Sequence, residues 1–155
     1  MAITFYNEVL TDHNIHPSHK YKMEDATYSL EGVNPSCGDD VVLYIKVDAD
    51  NVIEDASFDG DGCAISQASA DMMCDLIIGK PKDEALRLSE ILLRMIKGKI
   101  TDEEKDELEE AGILEDISHM PARVKCAVLG WHTMDQIFQD ADNGKVDQYD
   151  GKFEK

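Results

Sequence analysis

Three of the four cysteines lie in separate local contexts, and an aspartate follows the first of them by two residues. They are Cys37, Cys63 and Cys126, with Asp39 as the nearby carboxylate. Three thiols and one carboxylate make a complete tetrahedral ligand set for zinc or for an iron–sulfur centre. A fold that used this set would have to bring three distant segments together, so no other feature constrains the structure as strongly.

The charge of the chain narrows the classes of partner. Its 155 residues include 15 Lys and Arg against 33 Asp and Glu, which gives a formal net charge of −18. Phosphates would be repelled, so we expect neither nucleic acid nor an anionic membrane as a partner. A basic protein partner is compatible with this charge, although solubility alone accounts for most of the acidic residues.

The sequence also bears on the cellular compartment. We find no export signal at the N-terminus and no apolar run approaching the ~20 residues that a membrane span requires. Four cysteines in a chain of this kind favour reduced thiols over disulfides. We therefore expect a cytoplasmic protein with free or metal-bound thiols.

The hydrophobic pattern predicts an α+β fold, in which a small antiparallel sheet of about three strands packs against helices. We predict helices over 3–16, 63–78, 83–96 and from Pro121 to about 140, and strands over 26–32, 41–47 and 52–58. We expect a single domain over 1–141. Residues 98–116 read as an exposed, acidic helical insert with little to bury, and 142–155 as a disordered polar tail.

The local sequences around Cys37 and Cys63 differ in how strongly they indicate a reactive or metal-bound thiol. Cys37 lies in a loop rich in turn-forming residues, which is a poor place to bury a cysteine and so favours a reactive or metal-bound thiol. Asp39, taken alone, is more typical of a turn-stabilising interaction. Cys63 begins a predicted helix, where backbone N–H groups stabilise a thiolate, but a buried structural cysteine fits equally well.

The remaining cysteines differ in their neighbours. Cys126 lies in the first turns of the last helix, with Arg123 on the same helical face, where the guanidinium could stabilise a thiolate or contact a partner. A core cysteine beside a solvated arginine is the alternative. Cys74 lies among apolar residues in mid-helix and is assigned to the core. No Cys-x-x-Cys spacing occurs, so composition and spacing alone support a metal site only weakly.

The three cysteine motifs together resemble the IscU family of iron–sulfur assembly proteins, most closely its SufU branch. They read NPSCGD over 34–39, FDGDGCAIS over 58–66 and RVKCA over 123–127. Each motif alone is modest, but all three in this order are highly specific. The resemblance extends from Tyr6 to about Ala141 and implies an IscU- and SufE-like fold.

The resemblance also implies the chemistry. It implies a zinc site formed by Cys37, Asp39, Cys63 and Cys126, and a chain that accepts sulfur on Cys37 from a SufS-type, pyridoxal-phosphate-dependent cysteine desulfurase. Further iron–sulfur assembly proteins would receive the sulfur next. To attack a persulfide Cys37 must leave the metal, which a loop position permits. Arg123 resembles a position near the desulfurase interface.

Three departures from scaffold-type members of the family favour the SufU branch. Those members carry a histidine immediately before the third cysteine, where this chain has Lys125. They carry a Leu-Pro-Pro-Val-Lys chaperone-recognition motif, of which residues 120–125 preserve little. The acidic insert is a further SufU-like feature. The alternatives are a scaffold that binds an iron–sulfur cluster at the same ligands, and a zinc domain with a purely structural role.

Overall fold

The computed structural model describes residues 8–142, which form a three-stranded sheet and six helices. In chain order the elements are α1 (Glu8–Ile15), β1 (Tyr28–Asn34), β2 (Asp39–Val47), β3 (Ile53–Asp61), α2 (Ala64–Ile77), α3 (Lys82–Ile96), α4 (Asp102–Glu107), a 3₁₀ helix (Glu109–His119) and α5 (Pro121–Asp142). The predicted α+β class is confirmed. No helix within 8–142 is both long and apolar enough to cross a membrane.

The sheet is antiparallel throughout, with strand order β1–β2–β3. Leu43 in the central strand pairs with Leu30 on one side and Phe58 on the other, and all three side chains are buried. The turn between β2 and β3 is closed by Asp48, whose carboxylate accepts hydrogen bonds from the backbone N–H groups of Asp50 and Val52. The strands predicted over 41–47 and 52–58 are thus confirmed as antiparallel neighbours, joined by a tight turn.

Helix α5 lies close against the first strand. A Cβ atom at Gly32 in β1 would lie 2.2 Å from Thr133 Oγ1 of α5, so a larger residue would force the two elements apart. Nearer the start of α5, the Trp131 indole donates to Ser69 Oγ of α2, and Ser69 donates back to the carbonyl of Ala127. The close approach at Gly32 therefore positions α5 against the strand that ends in Asn34, and the Ser69 hydrogen bonds position it against α2.

The acidic insert over 98–116 contains more buried side chains than expected. Thr101 and Glu104 form a capping box that starts α4, which has no buried residue, as predicted. The 3₁₀ helix that follows does pack on the core, so the expectation of little to bury is wrong for this half. The buried residues recur every three positions, at Leu108, Ala111, Leu114 and Ile117. A spacing of three matches the 3.0 residues per turn of a 3₁₀ helix, so these side chains share one side.

Two predictions reach the ends of the described chain. Helix α1 is described from Glu8 to Ile15, with Leu10 buried. The first five residues of the helix predicted over 3–16 lie outside the described range. Helix α5 ends at Asp142. The disordered tail was predicted over 142–155, of which Asp142 is instead the last residue of α5. Residues 143–155 lie outside the described range.

Candidate metal centre

Cys37 lies at the tip of the hairpin that joins β1 to β2. The last paired residues of the two strands are Asn34 and Asp39, so the turn between them spans only residues 35–38. The Cys37 N–H donates to the Asn34 carbonyl, and Gly38 has a φ of 72°, a left-handed conformation that favours glycine. The turn leaves the Cys37 side chain partly exposed, in agreement with the predicted loop position.

Asp39 is fully buried, and its carboxylate accepts three hydrogen bonds within the site. One oxygen accepts from the Cys63 N–H at 2.8 Å and from Ser66 Oγ at 3.2 Å. The other accepts from the Asn34 side-chain amide at 3.3 Å. These partners tie the end of the hairpin to the start of α2. The turn-stabilising alternative does not describe this carboxylate, which bonds across to another element.

Cys63 caps the N-terminus of α2, where the sequence placed it. Its Sγ atom accepts from the Ser66 N–H at 3.5 Å. The preceding residue, Gly62, is hemmed in, because a Cβ atom there would lie 2.4 Å from Ser66 Oγ and 3.1 Å from an Asp39 oxygen. Glycine at this position therefore allows the strand-to-helix turn to approach the Asp39 carboxylate closely.

Cys126 lies one and a half turns into α5 and is fully buried. Its Sγ atom is 3.1 Å from Cys37 Sγ and 3.6 Å from the Asn34 side-chain nitrogen. Burial raises the pKa of the Cys126 thiol, and contacts with Cys37, Asp39 and Cys63 add to that rise. A thiol in such surroundings stays protonated unless a cation compensates its charge.

The structure brings three of the four predicted ligands into one cluster. Donor atoms of Cys37, Asp39 and Cys126 all lie within 4.8 Å of one another. Cys63 lies outside that cluster by this measure, although its thiol still interacts with Cys126 and its backbone N–H holds Asp39. The fourth predicted ligand thus lies at the edge of the group formed by the other three.

This donor set fits zinc. Zinc prefers thiolate sulfur and carboxylate oxygen in four-coordinate sites, and three rigid or semi-rigid elements supply those atoms here. The buried thiol of Cys126 and the buried carboxylate of Asp39 are groups that a divalent cation would compensate. A metal bound by such ligands also links the segments that carry them, and so contributes to folding stability.

Two functional residues escaped the sequence analysis, although both stand inside the quoted motifs. Asn34 and Ser66 are each 2% exposed, and both donate to Asp39. Buried polar side chains need such partners, and these two orient the carboxylate that the cluster uses. Their positions beside the cysteines, three residues before Cys37 and three after Cys63, are the signal that would have found them.

The remaining predicted residues are Arg123 and Lys125 on α5 and Cys74 on α2. Arg123 lies in the first turn of α5, partly buried, with its backbone N–H bonded to the Met120 carbonyl. Lys125 precedes Cys126 on the same helix and is partly buried. Cys74 is fully buried in α2, and burial raises the pKa of its thiol well above the ordinary range, so its assignment to the core is confirmed.

Sequence comparisons agree with this arrangement. Residues 5–145 match the family described as the NifU-like N-terminal domain. An iron–sulfur cluster assembly scaffold protein IscU from Thermotoga maritima is 43% identical over 134 residues, covering 86% of this chain and 92% of the relative. A zinc-dependent sulfurtransferase SufU from Bacillus subtilis is 41% identical over 133 residues, covering 86% and 88%.

A solved structure extends the comparison to the fold. The crystal structure of a putative iron–sulfur cluster assembly scaffold protein for the SUF system, from Fervidobacterium islandicum, superimposes with a TM-score of 0.78. It is 39% identical in sequence, and the match covers 88% of this chain and 98% of that one. Sequence, fold and the clustered cysteines and aspartate lead to one assignment: the chain belongs to the NifU-like N-terminal domain family, among the IscU- and SufU-type proteins of iron–sulfur cluster assembly.

Proposed function

We propose that this chain is a zinc-dependent sulfur-transfer protein that accepts persulfide sulfur on Cys37 from a SufS-type, pyridoxal-phosphate-dependent cysteine desulfurase. The observation that carries the proposal is the unequal setting of the clustered donors. Cys37 is partly exposed at a hairpin tip, whereas Asp39 and Cys126 are fully buried beside it. One of the three clustered donors is therefore accessible to a partner's active site, and the other two are held within the fold. Cys63, the fourth proposed ligand, is also partly exposed, but it caps the N-terminus of α2.

The residues divide into anchors and a reacting group. Cys37, Asp39, Cys63 and Cys126 would hold zinc, which when bound keeps thiols deprotonated without redox chemistry of its own. Asn34 and Ser66 orient Asp39, while the helical positions of Cys63 and Cys126 restrict their movement. Cys37 is attached through the turn at Gly38, where a change of backbone conformation moves its side chain outward.

The transfer step is a thiol–disulfide-type exchange. The Cys37 thiolate attacks the outer sulfur of the desulfurase cysteine persulfide. The bond between the two sulfur atoms of that persulfide breaks, and the desulfurase cysteine leaves as a thiolate. Cys37 then carries the transferred sulfur as a persulfide. The sulfur passes next to further iron–sulfur assembly proteins, whose nucleophiles would repeat the exchange.

A cluster scaffold at the same ligands is the second candidate function. Three thiols and a carboxylate can ligate an iron–sulfur cluster, and the T. maritima and F. islandicum relatives are named as scaffold proteins. Lys125 favours sulfur transfer, since scaffold-type members have histidine at that position. Imidazole is a common ligand for iron, whereas the lysine side chain is not.

Metal analysis joined to a desulfurase assay tests the proposal. We expect the purified protein to contain one zinc per chain and to accelerate turnover of a SufS-type desulfurase, with the acceleration lost on treatment with a chelator and restored by zinc. Treating the desulfurase alone with the chelator controls for damage to that enzyme. A cluster-type visible spectrum after anaerobic reconstitution, with no acceleration of the desulfurase, would instead support the scaffold function.

Arg123 is proposed as a partner-contact residue. We expect Arg123→Ala to weaken the functional coupling to the desulfurase and to raise the concentration for half-maximal stimulation by about tenfold. Arginine is enriched among the few interface residues whose truncation costs more than about 1 kcal/mol. Zinc content should change little. Arg94→Ala is a matched control, since Arg94 pairs with Glu104 of the insert. Equal losses of zinc and stimulation in Arg123→Ala would make the residue structural.

A further inference from the structure

His13 on α1 lies between two carboxylates from different elements. Its Nδ1 atom is 2.6 Å from an oxygen of Asp71 on α2, and its Nε2 atom is 2.6 Å from an oxygen of Glu110 on the 3₁₀ helix. The His13 and Asp71 side chains are 12% and 2% exposed, while Glu110 is 58% exposed. We call this group of three side chains the His13 bridge.

The geometry of the His13 bridge favours the positively charged form of the imidazole ring. A neutral imidazole has one N–H donor, whereas the imidazolium has two. Carboxylates are acceptors when ionised, so contacts at both ring nitrogens favour the doubly protonated ring. Burial lowers the pKa of His13, but the hydrogen bonds to Asp71 and Glu110 outweigh it, so that the pKa is raised above its ordinary value.

Asp71 also forms a hydrogen bond with the chain beyond the end of α1. The second oxygen of Asp71 accepts from the His19 N–H at 2.9 Å. The carbonyl of His19 in turn accepts from the Phe58 N–H, so this segment lies along the edge of β3. Asp71 therefore attaches residues 8–20, which we call the N-terminal arm, at two points, the His13 side chain and the His19 N–H.

We propose that the His13 bridge is a proton-dependent contact, which holds the N-terminal arm and the 3₁₀ helix on α2 while His13 is protonated. The contact is broken, and both segments are released, as His13 loses its proton. The sign follows from linkage. Because the pKa is higher in the folded state, the stabilisation is complete below the unfolded pKa of ~6.5 and is lost as the pH rises through the folded value.

The surroundings of the ring favour its cationic form. The charged and titratable groups that face it or its partners are Asp75, Cys74, Glu8, Asp12, His19, Lys105, Asp106 and Glu109. Most are carboxyl groups. Lys105 pairs with Glu115, His19 contacts Asp75, and the Cys74 thiol is neutral because burial raises its pKa well above the ordinary range. The carboxylates therefore dominate the local field.

The N-terminal arm also reaches the segment beside the metal centre. Lys20 donates from Nζ to the Gln67 side chain at 2.7 Å, and Gln67 donates to the Gly62 carbonyl at 3.3 Å. Gly62 directly precedes Cys63, so the arm is connected by two hydrogen bonds to the strand-to-helix turn. Release of the arm should consequently loosen this turn as well as the contact with the 3₁₀ helix.

Histidine NMR and amide hydrogen exchange on the full chain, kept in one metal state, test the proposal. We expect His13 to titrate at a higher pH than the ~6.5 of an unperturbed imidazole. Protection of arm amides, corrected for intrinsic exchange, should fall at least about threefold between pH 6 and pH 9. At pH 6, His13→Gln should reduce that protection by about tenfold, whereas the matched control His16→Gln should not.

Glu110→Gln provides a second test that spares the buried carboxylate. It removes one charge at a mostly exposed position, so the chain should fold, and the His13 titration midpoint should move to lower pH. The proposal is overturned if His13 titrates at or below the ~6.5 of an unperturbed imidazole. It is also overturned if arm protection is independent of pH, or if His16→Gln reduces protection as much as His13→Gln does.

Discussion

Replacing Cys37 with serine is expected to reduce sulfur acceptance from the desulfurase to the background level measured without this protein. A serine hydroxyl is not ionised at neutral pH and cannot attack a persulfide sulfur as a thiolate does. Asp39, Cys63 and Cys126 remain in Cys37→Ser, so the variant should retain part of its zinc. The measurement is desulfurase turnover with cysteine as substrate, together with mass spectrometry of the chain for an added sulfur.

The adjacent residue offers a matched control for this variant. Ser36 is exposed in the same turn, and Ser36→Ala should accept sulfur at the normal rate. The comparison separates loss of the Cys37 thiol from disturbance of the hairpin tip. If Cys37→Ser still accelerated the desulfurase with unchanged acceptor kinetics, the assignment of Cys37 as the sulfur acceptor would be wrong.

Replacing Asp39 with alanine should damage both the metal centre and the fold. The Asp39 carboxylate accepts hydrogen bonds from Asn34, Ser66 and the Cys63 N–H, and its removal leaves these buried or partly buried donors without their partner. Leaving one buried donor unsatisfied costs about 1–3 kcal/mol, so we expect Asp39→Ala to lower the free energy of unfolding by about 3 kcal/mol. Zinc content should fall strongly, because an anionic ligand is lost.

Asp39→Asn separates these two roles. The asparagine keeps an oxygen that accepts hydrogen bonds but lacks the charge, so it should lose more zinc affinity than stability. Asp40→Ala is the matched control, since Asp40 is the next residue along β2 and is exposed. The measurements are urea unfolding of the metal-free proteins and zinc per chain after dialysis. Unchanged zinc content and unfolding in Asp39→Ala would contradict the assigned role of this carboxylate.

The elements were predictable from local pattern because each has a clear period. The strand predicted over 41–47 is observed as Asp39–Val47, and the helix predicted over 83–96 as Lys82–Ile96. The structure of the insert over 98–116 was harder to predict, because many acidic residues lie between apolar positions that recur every three residues. Leu108, Ala111 and Leu114 stay in line along a 3₁₀ helix, whereas the same spacing drifts around an α-helix. A 3₁₀ helix is uncommon over this length.

The candidate site was predictable in composition but not in arrangement. Cys37, Asp39, Cys63 and Cys126 were identified from motifs, which report residue types and order along the chain. Their relative distances depend on how α2 and α5 pack against the sheet. The structure therefore distinguishes the cluster of Cys37, Asp39 and Cys126 from the flanking position of Cys63, a difference that no local pattern contains.

The sequence by itself determined the α+β class, the candidate donor residues and the loop position of Cys37, because these depend on residue type and on neighbours a few positions away. The tertiary structure decided that Asp39 faces inward, that Asn34 and Ser66 hold it, and that Cys126 lies 3.1 Å from Cys37. The physical reason is the range of the contacts. Asn34 meets Cys126 across 92 positions of the chain, and only the packing of α5 on β1 brings them together.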